Sequence, residues 1–191
     1  MFAYIKGILT HTTSSYAIVE VQSIGYTIFV PKSDLALLPP CGKNVVLHTL
    51  LYIKENSLIL FGFLETGSKT LFEKLISVSG IGPKMALALL GNMGAAALVA
   101  ALQRQDIQTL IQTPGVGKKI AQRLVLEMKD KVMDFSLPFA NNALFQDAHQ
   151  ALIHLGYSPT LAMQAIEKTI EGHKDLELEK LITLSLQNIN G

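Results

Sequence analysis

The chain has 191 residues, 49% of them apolar, with a formal net charge of +1, which is enough for one ordinary domain or two to three small ones with a packed core. One cysteine, Cys41, excludes an intrachain disulfide, a thiolate metal site and an iron–sulfur cluster, and 7% aromatics without Trp argues against a stacking platform for single-stranded bases. Lys6 leads into no long apolar run with a small-residue cleavage site, no apolar stretch is read as reaching the roughly 18–20 residues of a membrane span, and the cysteine usage fits a reducing, cytoplasmic setting.

The first 64 residues read as strands: Phe2–Leu9, Ala17–Val21, Tyr26–Val30 after Gly25, Val45–Ile53 and Leu58–Phe63, with Lys54–Ser57 as a turn. Five short strands in so little chain suit a closed barrel, because closure removes sticky edges. Their order, with a helical insert at Ser33–Leu38, suits an OB-like barrel. Near Gly67 the apolar period changes: Leu71, Phe72, Leu75 and Ile76 recur at helical spacing, as do Ile107, Leu110 and Ile111, and then Ile120, Leu124 and Met128. Glu127 and Lys131 are spaced for an i,i+4 ion pair. Residues 134–142, with Ser136, Pro138, Asn141 and Asn142, read as a linker. Three short helices follow in 143–191, broken at Gly156–Pro159 and near Gly172. The fold class is therefore α+β: a barrel over 1–64, a helical domain over 65–133 and a three-helix unit over 143–191.

The near-neutral total hides a pattern. Residues 1–68 balance at zero, residues 69–131 carry nine basic against four acidic groups for +5, and residues 132–191 carry three lysines against seven acids for −4. The middle segment is the one suited to a polyanion.

That segment also repeats itself. At an offset of 35 residues, Leu75–Ala86 lies over Leu110–Ala121, and the Leu-Ile pair, both glycines, one lysine and the alanine coincide. Each copy is helix, Gly-x-Gly hairpin, basic residue, helix. Glycine permits positive φ and lets another chain approach the backbone closely. Successive N–H groups in such a turn form a concavity for an anion, and the helix N-terminus that follows adds free N–H groups and a favourable dipole. Gly80, Gly82 and Lys84 in the first copy, and Gly115, Gly117, Lys118, Lys119 and Arg123 in the second, are the candidate phosphate-binding residues. A single Gly-x-Gly between helices is usually only a tight connection; the second aligned copy with its lysine shifts the balance. No P-loop is present: that motif needs Gly where Gln112 stands and Ser or Thr where Lys119 stands. Hydrolysis of ATP would have to come from another chain.

Both hairpins resemble helix-hairpin-helix DNA-binding motifs. The full order of barrel, two such motifs, linker and three-helix unit resembles the RuvA family, with Leu60-Phe61-Gly62-Phe63 and Leu155-Gly156-Tyr157-Ser158-Pro159 as further matches. The resemblance implies a homotetramer that holds four-way (Holliday) junction DNA open without cutting it, chosen by shape rather than sequence. It implies a RuvB-like hexameric ATPase as motor and a RuvC-like junction resolvase as further partners. It implies no cofactor, no metal and no catalytic residue. By the same resemblance Glu55 is an acidic pin that keeps strands apart at the junction centre. This chain has Asn56 where the family commonly has a second acid. Leu152, Leu155, Tyr157 and Leu186 fall at motor-binding positions, although in so small a unit some of them must be core. His11, His48, His149, His154 and His173 show no ligand spacing.

Two other readings compete. A helix-hairpin-helix DNA glycosylase would share Pro114–Lys119 and could use Asp134, but the preceding barrel, the missing cluster cysteines and the lack of an aromatic base-binding cleft oppose it. A protein-interaction scaffold, with the hairpins as mere turns, is opposed by the +5 middle segment.

Overall fold

The computed structural model describes residues 2–54, 57–133, 143–172 and 176–190. The expected linker and Glu55 with Asn56 lie outside the described residues.

Five strands come first: β1 (Tyr4–Thr12), β2 (Tyr16–Val21), β3 (Ile24–Phe29), β4 (Asn44–Lys54) and β5 (Ser57–Phe63), with a one-turn helix α1 (Lys32–Leu35) after β3. They close in the order β1-β2-β3-β5-β4, all neighbours antiparallel except β3 and β5. Strict alternation explains the closure: Ile5, Leu9, Ala17, Val19, Ile28, Val45 and Leu47 point inward and are buried together. The β2–β3 hairpin starts two residues earlier than the glycine suggested. Val21 pairs with Ile24, and Gln22 and Ser23 both take positive φ, 50° and 66°, as a two-residue type I′ turn requires.

The helices α2 (Thr66–Ile76), α3 (Pro83–Gln103), α4 (Ile107–Leu110) and α5 (Lys118–Met133) follow. They share a core with the barrel. Phe61 and Phe63 on β5 each stand 5.0 Å from the ring of Phe72 on α2. Asp34 on α1 accepts the Leu64 N–H at 3.0 Å, and the Ser33 hydroxyl lies 3.3 Å from the Leu90 carbonyl on α3.

One expectation fails here. Pro83–Gln103 is 21 residues long and contains an 18-residue window with a mean hydropathy of 2.0, so a stretch of membrane-span length and composition does exist. Its glycines and Asn92 disguise it in the sequence. Gly94, at φ 75° and ψ 163°, divides it into two helices, and Ala86, Leu89, Leu90, Leu98, Val99 and Leu102 are buried. It packs against α1, α2, α4 and α5, and 39% of its apolar window is buried.

The chain divides into two compact units, Met1–Leu137 and Pro138–Gly191. The second holds α6 (Ala143–His154), α7 (Pro159–Gly172) and α8 (Leu178–Asn190) around Phe145, Ala148, Leu152, Ala162, Ile166 and Leu181. Thr169 Oγ1 lies 3.2 Å from Ser185 Oγ and accepts from Asn188 Nδ2 at 2.9 Å, so the polar groups between α7 and α8 are satisfied.

Candidate nucleic-acid interface

The two halves of the repeat fold alike, bond for bond. In the first, Val78 N–H donates to Leu75 O at 3.0 Å and Ile81 N–H to Val78 O at 3.0 Å; in the second, Thr113 N–H donates to Leu110 O at 3.1 Å and Val116 N–H to Thr113 O at 3.0 Å. Gly80 and Gly115 take φ of 86° and 87°, which a residue with a Cβ adopts only under strain. Ala86 N–H then donates to Gly82 O and Ala121 N–H to Gly117 O, both at 3.0 Å, starting α3 and α5. Leu75, Val78, Ile81 and Ala86, and their counterparts Leu110, Thr113, Val116 and Ala121, are all buried. Each hairpin is thus anchored from inside by the residues that the alignment superposes.

The outward side of each hairpin is backbone. Gly80, Gly82, Gly115 and Gly117 are exposed, and among the described residues none of their four amides donates a hydrogen bond. Gly82 has an ordinary φ of −89°. A Cβ added at Gly82 or Gly117 would meet nothing within 4 Å. Neither position needs glycine for the fold of this chain. Both hairpins open into helix N-termini with no acidic residue in the first turn. Lys84, Lys118 and Lys119 stand exposed in those first turns, where a cation is unfavourable to the helix dipole unless an external anion is present. The arrangement offers paired anion sites of backbone amides with a lysine beside each.

Two of the basic groups also have partners within the protein. Arg123 Nη1 donates to the Ser79 carbonyl of the first hairpin at 3.1 Å, and its Nε lies 3.9 Å from Glu127 Oε1. Lys131 Nζ donates to Ser77 Oγ at 2.8 Å. The expected Glu127–Lys131 pair is therefore replaced by Arg123–Glu127, because the lysine is drawn to the serine hydroxyl. Ser77 and Ser79 went unnoticed in the sequence. The available signal was that Arg123 and Lys131 have alanines, Ala88 and Ala96, at the matching positions of the first repeat. Asp106 caps α4 by accepting the Thr109 N–H at 3.1 Å, and its bonds to Thr109 hold its carboxyl below the usual range.

The remaining candidates lie elsewhere. Glu55 is outside the described residues; its flanking pair Ile53 and Leu58, directly opposed across β4 and β5, is 66% and 72% exposed. Of the four apolar candidates in the second unit, Leu152 is fully buried in the core, Tyr157 and Leu186 pack against that core's edge, and Leu155 is 61% exposed. Gly156, with φ 94°, ends α6 and turns the chain so that Tyr157 N–H donates to Leu152 O at 3.2 Å. His48 is half-buried, and burial together with the nearby Lys69 lowers its pKa.

Comparison with known proteins matches three family models along the chain: the RuvA N terminal domain over residues 1–62, the SAM-like helix-hairpin-helix tandem over 72–130 and the RuvA C-terminal domain over 143–190. Among similar proteins, one from Protochlamydia amoebophila is 42% identical, covering 99% of this chain and all of the relative. One from Acidobacterium capsulatum is 40% identical, covering 90% of this chain and 89% of the relative, and one from Cellvibrio japonicus is 34% identical over the whole of both. Each is named a Holliday junction branch migration complex subunit RuvA.

Proposed function

The chain belongs to the RuvA family, and on that premise we propose that it binds four-way DNA junctions through its two hairpins and brings a RuvB-like ATPase to them. It is a non-catalytic DNA-binding subunit, and its relatives are named Holliday junction branch migration complex subunits. The observation that carries the DNA reading is the pair of glycines at 82 and 117: their amides are exposed and donate to nothing among the described residues, and no neighbour forbids a side chain there. Glycine at such a place makes sense when an external backbone must come close. Contacts of amides and lysines to phosphate carry no sequence information, so selectivity comes from the shape of the junction. Four copies arranged around the crossover would present eight such hairpins, and Glu55 from each would keep phosphates out of the centre. The exposed Leu155, with Tyr157 beside it, supports motor docking on the second unit. A RuvC-like resolvase would act on the junction so held, in recombination and repair in the cytoplasm.

Gel shifts with a four-way junction, a plain duplex and abasic DNA test this reading. The expected result is tightest binding to the junction, independent of sequence, with every strand intact. Equal affinity for duplex and junction, or strand scission at the abasic site, would overturn it.

A further inference from the structure

Two cations of α5, the helix that follows the second hairpin, reach the first hairpin. Arg123 Nη1 donates to Ser79 O, and Lys131 Nζ donates to Ser77 Oγ. Ser77 and Ser79 lead directly into Gly80 and Gly82, the first hairpin's exposed glycines. The guanidinium has two partners, the Ser79 carbonyl and the Glu127 carboxylate, and its side chain is 53% exposed. It also lies 3.4 Å from the place a Gly80 Cβ would occupy, so it lines the inner flank of that turn. Among the described residues the contact runs one way only: the first repeat has Ala88 where the second has Arg123, and α3 breaks at Gly94 before the position 35 residues back from Lys131.

We infer that Arg123 and Lys131 form a one-sided clamp that fixes the first hairpin relative to the second, making Arg123 a positioning residue for DNA binding and not a phosphate contact. The inference rests on the reading of the hairpins as phosphate sites. Phosphates on a DNA arm are presented at fixed intervals. Two anion sites therefore bind as one unit only if their separation is held; otherwise the second contact is made at an ordering cost. A helix side chain gripping the neighbouring turn by a charge-assisted hydrogen bond holds that separation without occupying the exposed amides.

The test uses the full-length protein carrying Arg123→Gln, Arg123→Lys, Lys131→Met or Lys119→Ala. Junction affinity is measured across a salt series, and amide exchange is followed at the hydrogen-bonded hairpin amides Val78, Ile81, Thr113 and Val116. Arg123→Gln is expected to weaken junction binding by about three- to tenfold, the worth of a partly exposed charge-assisted hydrogen bond, with the slope of log K against log salt unchanged. Exchange is expected to quicken at Val78 and Ile81, whose amides are hydrogen-bonded within the first hairpin, and to stay as it was at Thr113 and Val116, their counterparts in the second. Lys131→Met should act in the same direction, and Arg123→Lys, which keeps a donor for Ser79 O, should recover most of the affinity. A slope flattened by about 1 per subunit with exchange unchanged would make Arg123 a phosphate ligand and overturn the clamp. Faster exchange throughout α2–α5 would make it a general stabiliser and overturn it equally. Lys119→Ala separates the two layers of argument: an unchanged slope in that variant refutes the phosphate reading of the hairpins, while the exchange result at Val78 and Ile81 in the Arg123 and Lys131 variants still decides the clamp.

Discussion

Replacing Gly82 by alanine tests whether the hairpins are built for an external backbone. The φ of −89° suits alanine, and no atom lies within 4 Å of the new methyl. Removing a glycine lowers the entropy of the unfolded chain, worth about 0.4–1 kcal/mol in favour of the fold. The position is also the cap of α3, where alanine is inferior to glycine by a similar amount, roughly 0.5–1 kcal/mol. The two nearly cancel, so Gly82→Ala should unfold within about 2 °C of the parent. Gly80→Ala is the contrast: at φ 86° a Cβ costs about 1–2 kcal/mol, which lowers the melting temperature by several degrees. In binding the order reverses its meaning. A methyl at 82 holds the phosphate away from the amide and should cost about 1.5–3 kcal/mol per contact, roughly 10- to 100-fold. Calorimetry and junction gel shifts on the same preparations check both halves. If Gly82→Ala melts like the parent and binds junctions equally well, no backbone approaches this hairpin and the proposed interface is wrong.

Other consequences follow from the same structure. Glu55→Lys should raise affinity for plain duplex and lower the junction-to-duplex ratio, because a repulsion against wrong ligands becomes an attraction; equal ratios measured by competition would remove Glu55 from the junction centre. A chain ending at Asn141 keeps the first unit's own core and should bind junctions about as well as the full chain while failing to stimulate a RuvB-like ATPase; full stimulation in an ATP-dependent branch migration assay would place the motor elsewhere. Burial pushes the Asp34 carboxyl above the usual 3.8, outweighing the bonds from Leu64 N–H and the Ser33 hydroxyl. Its folded pKa is the higher one, so its contribution to stability is complete below 3.8 and is lost as pH rises through the raised value. Asp34→Asn, which keeps an acceptor for Leu64, should remove that loss; denaturant titrations at pH 4 and pH 7 that differ by as much in the variant as in the parent would contradict it.

The barrel was legible because its signal is local: alternation along each strand fixes which side chains meet, and five such strands have few ways to close. Its hairpin ends were less so. Gln22 and Ser23 accept positive φ without a glycine to announce it, since the pairing of Val21 with Ile24 outweighs the local cost. The hairpins were readable for a different reason. Gly80 and Gly115 are demanded by the backbone and the repeat spacing exposes them together, whereas the open surroundings of Gly82 and Gly117 needed coordinates. Side-chain destinations were the hardest to see. Spacing paired Glu127 with Lys131, and a place near a helix start pointed Arg123 at phosphate, but neither signal showed the acceptors that Lys131 and Arg123 find 54 and 44 residues away, on the first hairpin. A helix of period 3.6 tells which side chains share a face and says nothing of what packs against that face. The two repeats fold alike through their buried leucines, valines and alanines, and they differ in the cations that one lends to the other. On the proposed clamp, that difference would make the pair a single binding element where two independent hairpins would each bind weakly.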